Sequence, residues 1–493
     1  MTAEAFGCGY AGRVPDLRLS ARIAALVCIT CAAASWAGST EAARPLTTAV
    51  FDSEITGPDA GATLTRIRGA GATAVRIALP WRAVASGRPL DPTNPNDPAY
   101  HWGPYDRAIQ LAEARGLNPI VTVLAAPDWA EGGGSGPDGS VRPNAVEYGQ
   151  FATAAARRYS GRLPGLPRVR YWQAWNEPNI TQFLNPQYED GRPYSPPLYR
   201  SMVNEFSSGV KSVAKDNIVI AGGTAPFRDV SPEVVKIDPK WGPLAFMREL
   251  LCLSPSLQPN CSEKIHFDIW AHHPYTSGGP THHANLADDV SIGDLPQMKR
   301  VLDAGVKAGN VVAGRPVQFW VTEFSWDSSP PDPKGVPVNL EARWVAEALY
   351  RMWSSGVSLV TWFLLRDEPP PTSYFQSGLL FRGKSVSTAK PKPAFTAFRF
   401  PLVGLPSRGG FLVWGRTPAS KPGRVLVEQS FKGGWARLGV LRTDSFGIFQ
   451  KTFGRPATGF VRARLLGSRD RARPFGLRPV PDRFFNPFGT PPR

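Results

Sequence analysis

Between Leu46 and Phe363 the chain repeats one pattern eight times, a short apolar or alternating run followed in turn by a stretch of helical spacing. The strand-like runs are 48–52 (TAVFD), 73–79 (TAVRIAL), 118–124 (NPIVTVL), 169–175 (VRYWQAW), 217–221 (NIVIA), 266–271 (HFDIWA), 316–322 (PVQFWVT) and 357–363 (VSLVTWF). β-Branched and aromatic residues dominate them, as a pleated, half-buried surface favours. Helical periods fill 59–68, 104–115, 144–159, 197–215, 243–251, 295–308 and 340–353. The punctuation agrees: Gly69 to Gly71 ends the first helix, Pro104 opens the second and Gly116 closes it. Eight strand-then-helix units in one run predict a closed (β/α)8 barrel, the TIM-barrel form of the α/β class. An open doubly wound sheet is the alternative. It fits less well, because no Gly-rich phosphate loop follows the first strand.

The fourth run continues through Asn176-Glu177-Pro178. Proline stops ladder pairing and restricts the residue before it, which places Glu177 at the lip of the strand. The seventh run, read through as FWVTEFSW, also ends in a lone carboxylate, Glu323. Barrel enzymes keep their chemistry at the C-terminal ends of the strands. The ends of strands four and seven face each other across the mouth, and two carboxyls there are the equipment for cutting a glycosidic bond. One must be a protonated acid for the leaving oxygen, the other an ionised nucleophile or base. A single strand-end Glu before Pro reads more simply as a loop cap; the matched pair reverses that reading.

Trp175-Asn176-Glu177-Pro178-Asn179 with Phe183 shortly after, together with Thr322-Glu323-Phe324, resembles the retaining glycoside hydrolases of clan A, in the manner of family 39 or the cellulase-like family 5. The resemblance covers roughly residues 45 to 400 and does not fix the substrate. It implies Glu177 as general acid/base, Glu323 as nucleophile and Asn176 as partner of the sugar 2-hydroxyl. It also implies an Arg on strand two, matched by Arg76, a His and a Tyr after strand six, matched by His273 and Tyr275, and a Trp on strand eight, matched by Trp362. Elementary electrostatics points the same way. Arg76 near Glu323 would hold it ionised, Tyr275 would donate to the same group, and an apolar wall such as Trp172 or Trp175 would raise Glu177. The plainer reading of Arg76 is a structural ion pair with a loop acid.

Among the 15 tryptophans, Trp129 after strand three, Trp326 after strand seven and Trp81 after strand two are candidate sugar platforms, and Asp327 a candidate hydroxyl partner. Packing beneath a loop is the competing role for each. The long loops 81–100 and 179–197, the second carrying Phe183, Tyr188 and Tyr194, predict a shaped pocket rather than an open groove. His272, His273, His282 and His283 invite a zinc reading, but adjacent histidines on extended chain point their rings apart. The site is read as needing no metal and no cofactor.

The N-terminus reads as an export signal over 1–43. Arg13, Arg18 and Arg22 precede the apolar run 23–34, which is too short to span a membrane comfortably, and Ser35-Trp36-Ala37 suits cleavage. An uncleaved anchor is the alternative. Removal of this segment leaves Cys252 and Cys261, whose spacing in an exported chain suggests a disulfide. The catalytic domain is assigned to 44–399. From 400 to 493 helical periods vanish, and short alternating runs at 424–429, 437–442 and 459–465 predict a small β-sandwich, with hairpin turns at Gly433-Gly434-Trp435 and Asp444–Gly447. That segment holds 17 Lys/Arg against 4 Asp/Glu, most of the chain's net charge of +16. Attachment to an acidic cell-wall or extracellular polysaccharide is one reading, a structural lid with a solvated basic face the other. Nucleic acid is disfavoured for want of a motif. The Pro-, Phe- and Arg-rich end after Arg469 suits partial disorder. The expected protein is thus a secreted hydrolase of oligo- or polysaccharides. Its rivals are a transglycosylase on the same glutamates and a non-catalytic carbohydrate-binding barrel.

Overall fold

The computed structural model describes residues 44–369 and 375–485; the export segment read from the sequence lies outside them. Strands β1 (Thr47–Phe51), β2 (Ala74–Pro80), β3 (Asn118–Leu124), β4 (Tyr171–Ala174), β5 (Ile218–Thr224), β6 (Ile269–His272), β7 (Gln318–Phe324) and β8 (Val357–Phe363) run parallel. They close in sequence order into a barrel, with β1 pairing β8 from Thr47↔Leu359 to Phe51↔Phe363. Helices α1 (Ala60–Gly69), α2 (Gly103–Glu113), α3 (Ala145–Arg158), α4 (Ser195–Val213), α5 (Pro243–Leu250), α6 (Leu295–Lys307), α7 (Val338–Ser354) and α8 (Pro393–Arg399) alternate with them. Proline occupies the first turn of α2, α4, α5, α6 and α8, where its missing N–H removes no helical bond. The Asn144 side chain caps α3 by accepting from the N–H groups of Val146 and Glu147.

Because successive strand side chains alternate faces, the barrel interior fills in layers. Its base is apolar: Ala49, Ala74, Ile120, Ile218, Ile220, Ile269, Ala271, Trp320 and Leu359 form a separate buried cluster, with Tyr171 packed on Trp320 at 5.4 Å between ring centroids. One step nearer the C-terminal mouth the inward positions turn polar, with Arg76, Thr122 and Gln173 on three successive strands, all buried. The large remaining core lies between the barrel's outer face and the helices. The Cys252–Cys261 disulfide closes the loop that leads from α5 toward β6. No helix among the described residues is long and apolar enough to cross a membrane.

After α8 the chain forms two antiparallel sheets. One orders β9 (Leu402–Ser407), β10 (Gly410–Arg416) and β13 (Ile448–Phe453); the other orders β12 (Gly434–Arg442), β11 (Arg424–Phe431), β14 (Phe460–Leu465) and β15 (Phe475–Gly476). The expected hairpin at Lys432-Gly433 joins β11 to β12. The Asp444–Gly447 turn is not a hairpin. It carries the chain from one sheet to the other, held by Asp444 Oδ1, which accepts from the N–H groups of Phe446 (2.8 Å) and Ile448 (2.9 Å). Barrel and sandwich belong to one compact unit. Trp414 packs on Tyr350 and Trp353 of α7, and the fully buried Arg416 donates to the Leu46 carbonyl at 2.9 Å and the Thr48 hydroxyl at 3.1 Å. Of the end after Arg469, for which the composition suggests partial disorder, residues 486–493 lie outside the described residues. The described part is fixed to the barrel as far as Asp482, which accepts from Gly279 N–H at 2.7 Å and pairs with His282 at 2.6 Å.

Beneath the loops after β7 and β8 lies a buried ionisable cluster. Lys392 pairs with Asp367 at 2.6 Å with neither side chain exposed, while Asp327 accepts from Gln376 N–H at 2.9 Å. Burial pushes Asp327 up to about 7 and Glu341 up to about 8, and neither carboxylate oxygen of Glu341 has a hydrogen-bond partner. Such a group stays protonated in the folded chain while the unfolded chain has released the proton. Its stabilisation is therefore complete below the ordinary carboxylate range and is lost as pH climbs toward 8, with a slope of about 1.4 kcal/mol per pH unit for one proton. Denaturant unfolding at pH 5, 6.5 and 8 is expected to give steadily falling stability. Glu341→Gln should flatten that fall, and an unchanged slope would assign the effect elsewhere.

Candidate active site

Strict alternation would not bring the two glutamates to the mouth. On β7, Thr322 points inward and bonds His273 Nε2 at 3.1 Å, so the next residue should point outward. The pairing of β7 with β8 shifts register between Val321 and Phe324, and this irregularity turns Glu323 inward as well. On the other side β4 ends at Ala174, earlier than the sequence suggests. Trp175 and Glu177 then adopt positive φ of 68° and 42°. Non-glycine residues in that region are strained, and such strain persists where the surroundings over-determine it. Here the Trp175 N–H is held by both Val123 O (2.9 Å) and Tyr148 OH (3.0 Å), and the Glu177 N–H bonds Gly223 O at 3.0 Å. Gly223 itself sits at φ +59°, and a Cβ there would stand 2.6 Å from Gln173 Nε2.

The glutamates meet in contrasting surroundings. Glu323 is gripped from two sides: Arg76 Nη1 donates to Oε2 at 2.6 Å and Tyr275 OH donates to Oε1 at 2.7 Å. Burial alone would raise its pKa, but the charges of His273 and Arg76 and the two hydrogen bonds outweigh it and hold Glu323 below the usual carboxylate value. Glu177 has one polar side-chain partner, His273 Nδ1 at 2.8 Å, and burial outweighs that contact, so its pKa is raised. Both side chains remain slightly open to the mouth, 13% and 15% exposed. An oxygen of each and a nitrogen of His273 lie within 4.8 Å of one another, the sole such trio of His, Cys, Asp and Glu side chains among the described residues. A metal ion is a poor fit there, since the Arg76 guanidinium already supplies the positive charge facing Glu323.

A chain of inward polar groups fixes Arg76. Its Nε donates to Thr122 Oγ1 at 3.0 Å and its Nη2 to Asn176 Oδ1 at 2.7 Å, while Thr122 in turn donates to Gln173 Oε1 at 3.3 Å. With the Asn176 oxygen taken, its amide nitrogen is what it offers the cleft. Thr122, Gln173 and Thr322 escaped the sequence reading. The period-2 alternation with Arg76-type polar positions was the available signal for the first two.

The cleft is a cavity of about 810 Å³ lined by Arg76, Asn176, Glu177, Tyr275 and Glu323 together with an apolar majority that includes Phe51, Phe183, Phe227 and Phe363. The proposed tryptophans are elsewhere. Trp362 points to the helix layer, where it packs on Phe324 and Phe398 and donates to Ser377 O at 2.9 Å; its neighbour Phe363 is the inward residue, stacked on Phe51. Trp326 is fully buried and donates to the carbonyls of Thr276 (3.2 Å) and Gly278 (3.0 Å), steadying the loop that bears Tyr275. Trp129 rests edge-on against the buried Trp81, beneath Arg88, with its N–H on Ala85 O at 3.0 Å. Asp327 belongs to the buried cluster below the loops. The four histidines have separate partners: His272 bonds Thr224 and Val290, with burial lowering its pKa to about 3, His282 pairs with Asp482, and His283 with Asp294.

No family model matches the chain, and no curated protein matches it in sequence. Solved structures resemble it at low identity. A family 39 glycoside hydrolase from Bacteroides cellulosilyticus WH2 is 17% identical, with 83% of this chain and 81% of that one covered at a TM-score of 0.49. A monomeric β-xylosidase from Caulobacter crescentus CB15 is 16% identical over 78% and 83%, at 0.48. A family 39 enzyme from Xanthomonas axonopodis pv. citri is 14% identical over 83% and 90%, at 0.48. At these identities the likeness concerns the course of the backbone, and the chemistry rests on the side chains described above.

Proposed function

We propose that the chain is a retaining O-glycoside hydrolase, with Glu323 as nucleophile and Glu177 as general acid and then base. One observation carries this reading: two carboxyls stand at opposite strand ends of the barrel mouth, close together, with one held ionised and the other biased toward its protonated form. Their approach, with an oxygen of each within 4.8 Å of the other, is nearer the short separation of the double-displacement mechanism than the wide one that leaves room for an attacking water. In the first step the ionised Glu323 attacks the anomeric carbon while Glu177 gives its proton to the departing glycosidic oxygen. The bond to the aglycone breaks and a glycosyl ester forms. Esterification removes the negative charge that adds to burial in raising Glu177, which then ionises more readily. Glu177 takes a proton from water, and the water oxygen displaces Glu323. Arg76 stabilises Glu323 as leaving group in this second step, and Tyr275 shares that role. The Asn176 amide is placed to bond the sugar hydroxyl beside the reacting carbon.

An exported location belongs to the same reading. It rests on the basic and apolar run preceding residue 44 and on the Cys252–Cys261 disulfide, which suits an oxidising compartment. The basic face of the sandwich suits an acidic polymer, secondary to its packing on the barrel.

The first test is a panel of aryl glycosides (xyloside, glucoside, mannoside, arabinoside, galactoside and fucoside). The expected result is release from one glycone with the anomer first formed matching the substrate, followed by nuclear magnetic resonance. Glu323→Gln should abolish release. Glu177→Gln should lose roughly 10²–10⁴-fold on poorly activated substrates, whose departure needs the acid, and should recover with azide, which needs no base, on activated aryl glycosides. Inversion of the anomer, or an active Glu323→Gln, would end this mechanism. The pH dependence of kcat/KM should be bell-shaped. Its acid limb falls where Glu323 gains a proton, below the ordinary carboxylate range, and its alkaline limb where Glu177 loses one, above it; Glu177→Gln should erase the alkaline limb alone.

A further inference from the structure

We propose that the leaving group this site accepts is an apolar alcohol, an alkyl or aryl aglycone, rather than the next sugar of a polysaccharide. The inference rests on the hydrolase reading, because the direction of the cleft follows from it. The glycone must lie over Glu323, Arg76 and Asn176. The aglycone must then lie beyond the Glu177 carboxyl, which protonates the oxygen joining the two. The wall on that side comes from the loops after β4 and β5, and its cleft-lining members include Ile180, Phe183, Ala225, Pro226 and Phe227.

Most of the polar groups woven through this wall are already occupied; of those at the cleft, the exposed Gln182 side chain and the buried Ser231 hydroxyl are the ones left over. Asp229 accepts from Thr181 N–H at 2.6 Å and Ser231 N–H at 2.8 Å. Asn179 clamps the two loops together, accepting from Ala225 N–H at 2.8 Å and donating to Ala225 O at 3.3 Å. Arg228 binds the Pro239 carbonyl through its guanidinium and Asp289 through its N–H. Trp175, in the strained turn before Glu177, donates to Phe183 O at 2.8 Å and fixes that ring's backbone. The wall is therefore built to hold an apolar surface in place. A sugar in the same position would bury hydroxyls against phenylalanine and isoleucine, at the cost of their hydrogen bonds to water. The tryptophans that would serve as sugar platforms, Trp81, Trp129 and Trp326, all pack away from the cleft. A cavity of about 810 Å³ is the size that encloses a compact drug-sized molecule, which suits one pyranose with an attached aglycone.

The experiment uses the glycone identified by the aryl panel and compares its methyl, butyl and octyl glycosides, kept below micellar concentrations, with its disaccharide and trisaccharide. Alkyl and sugar alcohols are leaving groups of comparable reactivity, so differences report the aglycone site. The expected result is kcat/KM rising at least tenfold from methyl to octyl, within the ceiling of about fourfold per buried methylene, and octyl exceeding the disaccharide. Phe227→Gln and, independently, Ile180→Gln should flatten the octyl-to-methyl ratio to within about threefold. A flat chain-length series in the parent protein, or a disaccharide preferred over the octyl glycoside, would overturn the apolar assignment and leave the hydrolase standing. Failure to cleave any glycoside, aryl ones included, would bring down the hydrolase reading and this inference with it.

Discussion

The site depends on one buried cation. Arg76 sits inside the barrel with little access to water, where an unpaired charge would be strongly destabilising. Its neighbours are arranged to satisfy it: Glu323 neutralises it, Asn176 and Thr122 accept from two more of its N–H groups, and Phe51 lies beneath it at 5.6 Å. Each of these contacts fixes something else. Glu323 must stay ionised, since protonating it would leave Arg76 uncompensated. Asn176 must present its nitrogen to the cleft. With Glu323 ionised, a second negative charge close by is disfavoured, and this adds to burial in raising Glu177. The contrast between two chemically identical side chains thus comes from burial, which raises Glu177, and from the charges of His273 and of the arginine placed on β2, which lower Glu323.

The surrounding structure keeps that arrangement in register by clamping loops to one another. Trp326, expected to meet substrate, instead holds the carbonyls of the loop carrying Tyr275, and packs on Trp344 of α7 at 5.5 Å. The far end of the chain reaches the same loop, where Asp482 holds Gly279 and His282 while Phe485 packs on Trp344. Arg343 of α7 donates to Gly476 O at 2.7 Å and lies over Phe475. The sandwich therefore acts mechanically on the site. It buttresses α7 and the loop after β6, and so steadies the hydroxyl that donates to Glu323.

The alternation of eight strands with helices was legible because each element carries its own period and punctuation, and Glu177 and Glu323 were legible because each closes an apolar run. What sequence could not disclose was facing. Thr322 and Glu323 are adjacent yet both point inward, because β7 slips against β8 at that point. Trp175 and Glu177 are turned by positive φ that neighbouring strands enforce. Trp362 was matched to the Trp that the resemblance implies on strand eight, but a strand inverts its faces at every residue, so the inward residue is its neighbour Phe363. Trp129 and Trp326 failed as platforms for a related reason. A large ring gains most from burial, and only the packing of distant segments decides whether it is buried beneath a loop or left on top of it. The anchoring of Asp482 and Phe485 was hidden because they find their partners some 140 to 200 positions earlier.

In the proposed mechanism, acidity and leaving-group preference share one wall. Ile180, Phe183 and Phe227 line the cleft together with Glu177, and an apolar lining there adds to the burial that raises its pKa. An apolar aglycone seated against them would exclude water just as the proton is needed. Its departure reverses the condition. Water can then enter the vacated volume beside Glu177, which, once the charge of Glu323 is lost to the ester, ionises more easily and can act as a base. A sugar leaving group would hold its own hydration near the acid and blunt the first half of that cycle. On this proposal the phenylalanines of the wall would belong to the chemistry as much as to recognition, since they would set how strongly the state of Glu177 depends on whether the leaving group is present.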